Sequence, residues 1–337
     1  MNADSRTLRD QHGISVPVIL LLVLLIAVVA FVLAARFDLL TPADAELRQR
    51  FGLPGSQFVD LAGETVHVVD EGQGEPVVLL HGSFASLRQW DEWTAALRQA
   101  GYRVIRYDRP PMGLSGRAGG AHRDGAQDQR VLAALVDHLG LGQVVLVATS
   151  SAGPIGTGYA AAHPQHLRAV VLSNIPAGEF RTDSAHLPRL MRLLIAVEPV
   201  FGGWHSPVFW REVLRENFAD PAKVTREQVE QWTDMNNRAR RVPDVAGAPR
   251  NAMAEFARIP QDLAQIRAPA LVLWSDADRE LPLETHGRQV LQLLASTDKS
   301  LQVVPHCGHL LPLECGADSV RETLRFLAHL PPAASVT

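Results

Sequence analysis

The sequence predicts an α/β protein built on a mostly parallel sheet, and three observations carry that reading. Short continuous apolar runs recur at Pro76–Leu80, Arg103–Tyr107, Val144–Ala148, Ala169–Ser173, Ala270–Trp274 and Ser300–Val304. A strand buried on both faces reads this way, without polar alternation. Stretches of helical periodicity lie between them, at Trp90–Ala100, Gln127–Leu139, Pro154–His163, Leu283–Leu294 and Ser319–Leu330. Strands alternating with helices imply βαβ units. Composition is the third observation: 337 residues, 47% hydrophobic and 20% charged, with two cysteines, exclude disordered, collagen-like and disulfide-scaffold chains. A net charge of −4 with mixed signs and no basic stripe argues against a nucleic-acid partner.

At the N-terminus, residues 1–13 form a short polar tail, and Ile14–Ala35 then runs without a charge. As a helix, that run reaches about 33 Å, enough to cross a hydrocarbon core. It lacks the polar face of a globular helix, and Pro17 falls in the first turn, where a missing N–H costs little. The expectation is a single-pass transmembrane helix over 14–35. A cleaved signal peptide competes, since Ala34 and Ala35 are small and Val32 fits three positions before a cut. The run is nevertheless longer than the roughly 7–15 apolar residues of a typical signal. Arg6 and Arg9 before the span, against Arg36, Arg48 and Arg50 after it, give no clear orientation. A short leading tail favours a large C-terminal domain outside the cytoplasm. Cys307 and Cys315 could pair or stay as two buried thiols, and Cys307 reads most simply as a small packed residue.

Residues 36–55 read as a linker holding a short helix over Ala43–Arg50, opened by Thr41-Pro42. Two strands, Gln57–Leu61 and Thr65–Asp70, joined by Ala62-Gly63-Glu64, give a hairpin. With the six buried runs they make an eight-stranded sheet. From Ile175 to Ile266 no buried-strand run occurs, and helical patterns are broken by Pro188, Pro199, Pro207, Pro221, Pro243 and Pro260. The chain thus divides into a core of 56–174 and 267–332 and a helical cap of 175–266 inserted after the sixth strand. Ligands of open α/β sheets bind at the edge such a cap would cover; a peripheral structural insertion is the plain alternative. Without anchor and linker about 280 residues remain, one capped domain rather than two.

Four segments could carry chemistry, each at the end of an expected strand. Ala148-Thr149-Ser150-Ser151-Ala152-Gly153 surrounds a serine with small residues, as a strained strand-to-helix elbow requires. Ser150 is the candidate nucleophile; for Ser151, Thr149 would fill the crowded position two before it. Leu79-Leu80-His81-Gly82-Ser83-Phe84 offers backbone N–H groups for an oxyanion. Ser83 and Ser151 are assigned that role, with Phe84 as an alternative first donor, and His81 reads as structural. Trp274-Ser275-Asp276-Ala277-Asp278 ends a strand in acids, one of which could orient a histidine. Asp278 is preferred for its place before Arg279-Glu280-Leu281-Pro282, with Asp276 the alternative. Pro305-His306-Cys307-Gly308-His309 supplies a general base. His309 is preferred because Gly308 frees the turn before it, with His306 left structural or solvent-facing.

The chain order of oxyanion loop, Ser, Asp and His resembles that of the α/β-hydrolase fold family, over about Ser56–Leu330. Asp70-Glu71-Gly72-Gln73-Gly74 adds to the likeness. So does Tyr107-Asp108-Arg109-Pro110-Pro111-Met112-Gly113-Leu114-Ser115, which is similar to the family's D-x-R-G-x-G-x-S loop, with Pro111 where glycine is common. Ala148 and Ala152 stand where the family's elbow has glycine. The resemblance implies a capped, esterase-like serine hydrolase on Ser150, His309 and Asp278, with no metal or organic cofactor and a small-molecule ester or acyl substrate. Other acyl or peptide hydrolysis, perhydrolysis, or a non-catalytic binding module on the same fold are the alternatives. In the cap, Phe180, Phe201, Trp204, Phe209, Trp210, Phe218 and Trp232 could line an acyl pocket or pack the cap on the sheet. Arg238, Arg240 and Arg241 read as a solvated face. Met191–Val197 could touch lipid or face the core.

Overall fold

The computed structural model describes residues 15–117, 126–179, 187–240 and 255–331. All eight expected strands form: β1 Gln57–Leu61, β2 Glu64–Glu71, β3 Pro76–Leu80, β4 Arg103–Tyr107, β5 Val144–Thr149, β6 Leu167–Ser173, β7 Ala270–Ser275 and β8 Lys299–Val304. They lie in the order β1-β2-β4-β3-β5-β6-β7-β8, with a further two-residue strand, Gly116–Arg117, paired to β2. The β1–β2 and β2–β4 pairs are antiparallel and the rest of that path is parallel. The β1–β2 hairpin closes on Ala62 and Gly63, both at positive φ (50° and 82°), so β2 starts one residue earlier than expected. Two successive positive φ values match the right-handed twist of a hairpin.

Side chains on the continuous apolar strands alternate between two buried faces. Val78, Leu80, Leu146, Ala148, Val272 and Trp274 enter one core, whereas Val77, Leu79, Val145, Val147, Leu271 and Leu273 enter the other. Burial on both faces is why these strands show no polar alternation.

The helices are α1 Val16–Arg36, α2 Asp44–Phe51, α3 Asp91–Gln99, α4 Gln127–His138, α5 Gly153–Ala162, α6 Arg189–Val197, α7 Pro207–Asn217, α8 Arg226–Ala239, α9 Ile259–Leu263, α10 Arg288–Leu293, α11 Leu311–Glu314 and α12 Gly316–His329. A π-helical turn, Leu283–Gly287, leads into α10. α3 and α12 cover one face of the sheet, and α4, α5, α9 and α10 the other. Between β6 and β7 the described elements are all helical. α6 to α8 pack on one another there, while α9 packs Ile259 and Leu263 into the core cluster beside α5. α1 is long and apolar enough to cross a membrane, with a mean hydropathy of 3.5, and only Ala35 in it is buried.

Three sequence expectations change. Cys307 and Cys315 form a disulfide, so Cys307 is not a free packed thiol. Arg238 is not solvated: it is buried, donating through Nη1 to the Ser115 and Gly113 carbonyls and through Nη2 to Asp44. It ties α8 to the loop after β4 and to α2, a tertiary role that local charge clustering does not reveal. Trp210, Phe218 and Trp232 are buried together with Leu214, Val229, Ala85 and Leu310, so they pack the inserted helices onto the loops after β3 and β8 instead of lying open to an acyl group. Residues 1–13, Ile14, Phe180, Arg241 and Pro243 lie outside the described residues.

Candidate active site

Ser150 stands at the end of β5 with φ at 53°, in the left-handed region. Its neighbours must be small for strand and helix to approach, yet Ala148 and Ala152 replace the usual glycines. The room comes from α5. A Cβ added at Gly156 would sit 2.6 Å from the Ala148 Cβ, so the glycine has moved from strand to helix. Gly82, at the end of β3, lies so close that a Cβ on it would come within 2.9 Å of the Ser150 Cβ.

The structure brings Ser150, His309 and Asp278 into one chain of hydrogen bonds. The Ser150 hydroxyl donates to His309 Nε2 at 2.9 Å, and His309 Nδ1–H donates to Asp278 Oδ2 at 2.8 Å. Asp278 is held in turn by Asn174 Nδ2 at 2.7 Å and by the backbone N–H groups of Glu280 and Leu281. Burial pushes the Asp278 carboxyl up, but His309 and these donors outweigh it and hold it below its ordinary range. Burial likewise pushes His309 down, and the facing Asp278 and Glu280 carboxylates overcome it, raising the imidazole from 6.5 to about 9.

The rejected alternatives have other work. Asp276 is exposed and accepts the His306 N–H at 2.7 Å, fixing the turn in which His306 adopts φ 59°. Ser151 Oγ accepts from Ser83 Oγ at 2.8 Å and from Arg109 Nη1 at 3.2 Å, which stitches the loop after β3 to the elbow. His81 is buried: its Nδ1 faces the Gly82 carbonyl at 2.7 Å and its Nε2 accepts the Arg109 N–H. Burial, seconded by Arg109, lowers it to about 4, so it is neutral and structural.

The same three residue types also meet at Ser56, His67 and Asp108. His67 Nδ1 lies 2.7 Å from Asp108 Oδ2 and its Nε2 lies 2.7 Å from Ser56 Oγ. This group is a buried brace. Asp108 accepts the Leu87 and Leu114 N–H groups as well, Phe58 stacks on His67, and Ser56 accepts the Leu53 N–H. Gly113, at φ 58°, is required beside it, because a Cβ there would overlap the Asp108 carboxyl.

Several site residues escaped the sequence reading. Glu280 Oε2 lies 3.5 Å from His309 Nε2. Glu314 accepts the Gly308, Ala219 and Asp220 N–H groups, and Ser275 Oγ donates to the Gly308 carbonyl, so the His309 loop is clamped to core and cap together. The cap also meets the loop after β3, where Phe84 (φ 60°) lies against Trp210 at 5.4 Å and Asn236 Nδ2 donates to its carbonyl. Among the described residues, no group of three or more His, Cys, Asp or Glu could hold a metal ion.

Residues 77–323 match the model of the Alpha/beta hydrolase family. The chain belongs to that family. Its sheet order and parallel core are those of an α/β-hydrolase-fold hydrolase. It is 26% identical over 276 residues to a 2-hydroxy-6-oxo-6-phenylhexa-2,4-dienoate hydrolase of Burkholderia cepacia, covering 80% of this chain and 93% of that one. In fold it is similar to a meta-cleavage product hydrolase from Pseudomonas fluorescens, with TM-score 0.65 and 20% identity over 82% of this chain and 98% of that one. A membrane phospholipase A is similar over 94% of this chain and 99% of its own, with TM-score 0.68 and 24% identity.

Proposed function

We propose that the protein hydrolyses carboxylic esters of small or medium apolar acyl groups, with Ser150 as nucleophile, His309 as general base and Asp278 as its orienting acid. The observation that carries this reading is the unbroken hydrogen-bond chain from Ser150 Oγ through His309 to Asp278. Ser150 Oγ attacks the ester carbonyl as its proton passes to His309 Nε2. The oxyanion is received by the Ser83 and Ser151 N–H groups, which flank the elbow. The tetrahedral intermediate collapses to an acyl-enzyme, and the alcohol leaves with the His309 proton. Water, activated by His309, then releases the acid and restores Ser150.

Carbon–carbon hydrolysis of dienoates is the competing reading, because the curated relatives are named for it. Both reactions would use the same Ser150, His309 and Asp278, so the substrate itself is what separates them. We further propose that α1 anchors the chain in a membrane with the catalytic domain outside the cytoplasm. Support comes from its apolar length and from the Cys307–Cys315 disulfide, a bond that persists in oxidising compartments.

A panel of p-nitrophenyl esters of rising chain length, run beside 2-hydroxy-6-oxo-6-phenylhexa-2,4-dienoate, tests the reading. Turnover of short and medium esters well above that of the dienoate is expected. Dienoate cleavage without esterase activity would overturn it.

A further inference from the structure

α1 does not leave the domain on a free leash. The Phe31 ring stands edge-on to Phe201 and Trp204, with centroids 6.1 and 5.6 Å away. Arg36 Nη1 donates to the Pro199 carbonyl at 3.3 Å, and Arg240 Nη2 donates to the Ala35 carbonyl at 3.2 Å. Gly202, at φ 61°, turns the chain tightly against Arg36, where a Cβ would lie 3.2 Å from the arginine Cγ. Phe31 precedes the end of α1 by five residues, about 7.5 Å at 1.5 Å per residue. The cap residues that touch it therefore sit level with the apolar part of the helix, not beyond its end.

The surface around that contact is apolar and exposed. α6 turns Met191 inward and leaves Leu190 and Leu193 at 45% and 60% exposure, and Val200 in the following turn is 53% exposed. Phe37 and Leu39, just after α1, reach 68% and 76%. Exposed Arg36, Arg189 and Arg192 are interspersed with them. Single exposed apolar residues are ordinary, but a patch continuous with an apolar helix of spanning length marks an interaction surface.

We propose that α6 and the turn after it lie in the headgroup–acyl boundary of a phospholipid bilayer, so that the cap rests on the membrane that α1 spans. The inference rests on the anchor reading of α1. Helices of this kind bury an apolar face about 5–10 Å deep with arginines reaching the headgroups, and the Phe31 contact demands a depth of that order. Trp204 falls where interfacial aromatic residues collect. Lipid is the occupant because the patch runs alongside the spanning segment, where acyl chains are the surrounding solvent. α7 and α8 join this surface to Phe84 and the loop after β3, so an apolar ester leaving the bilayer meets the cap first.

The two native cysteines are paired, so single introduced cysteines can carry an environment-sensitive fluorophore in the full-length protein. We would place them by Leu193→Cys on α6, Val23→Cys on α1 and Gln302→Cys on β8. The protein is reconstituted in phosphatidylglycerol–phosphatidylethanolamine vesicles containing lipids with a doxyl quencher either near the head of the acyl chain or near its end. The shallow quencher should quench the label at 193, the deep one the label at 23, and neither the label at 302. Quenching at 23 but not at 193 would leave the anchor standing and overturn the docking face. A blue-shifted but unquenched label at 193 would put protein on that face, a second copy included, and would equally overturn it. No quenching at 23 would overturn the anchor reading, and the proposal with it.

Discussion

Ser150 holds a left-handed backbone that costs a residue with a Cβ about 1–3 kcal/mol, so its neighbours must fix it. The Ala148–Gly156 contact is one such restraint, and it yields a reciprocal test. Gly156→Ala forces a methyl into the Ala148 methyl and should destabilise the protein by about 1–3 kcal/mol despite the gain in helix propensity. Adding Ala148→Gly should recover most of that loss in a denaturant titration. Additive losses in the double variant would contradict the exchange of small residues between strand and helix. His309 gives a second test. Only its neutral form accepts the Ser150 proton, and its pKa is raised to about 9. Activity should therefore fall as pH drops through that raised value, with an acid limb above the 6.5 of a free imidazole. Glu280→Gln removes one of the two carboxylates that favour the charged form, so the limb of kcat/KM should move to lower pH. An unmoved limb would remove Glu280 from the site's electrostatics.

At the scale of elements, the loop carrying His309 is pinned by β8 behind it, the Glu314 carboxylate below it and the disulfide across it. Cys307 and Cys315 lie eight positions apart. Closing so short a loop contributes about 2–3 kcal/mol in the chain-entropy account. Cys307→Ser with Cys315→Ser should thus lower Tm by about 3–5 °C for a domain of about 280 residues, and should lower kcat more than it raises KM. An unchanged kcat would show that Glu314 and Ser275 position the loop alone. What the sequence made legible follows the same division. Ser150, Asp278 and His309 stood out as candidates because each lies in the loop after an expected strand, Ser150 at once and the other two three and five residues later. Glu280 and Asn174 also follow strands, yet nothing local distinguishes their carboxylate or amide from a solvated one. Arg238 was misread for the same reason, since its partners Asp44 and Ser115 are far away in sequence. Spacing allowed the cysteines to pair but could not require it.

For the whole molecule, the fastening of α1 to the cap bears on whether the N-terminal segment is retained. Phe31 packs on Phe201 and Trp204, and Ala35 is buried with its carbonyl held by Arg240. Cleavage after Ala34 or Ala35 would strip the cap of that packing. The intact mass of membrane-extracted protein should accordingly be that of a chain still carrying Ile14–Ala35, and a mass beginning at Ala35 or Arg36 would contradict retention. The account's central claim is that Ser150 is the nucleophile, and the most direct measurement is covalent labelling of the full-length protein with a fluorophosphonate, followed by peptide mass spectrometry. The predicted result is one phosphonyl adduct on Ser150, lost in Ser150→Ala together with more than about 10⁴-fold of the esterase rate and retained in Ser151→Ala. An adduct on Ser151 or Ser56, or hydrolysis that survives Ser150→Ala, would contradict it.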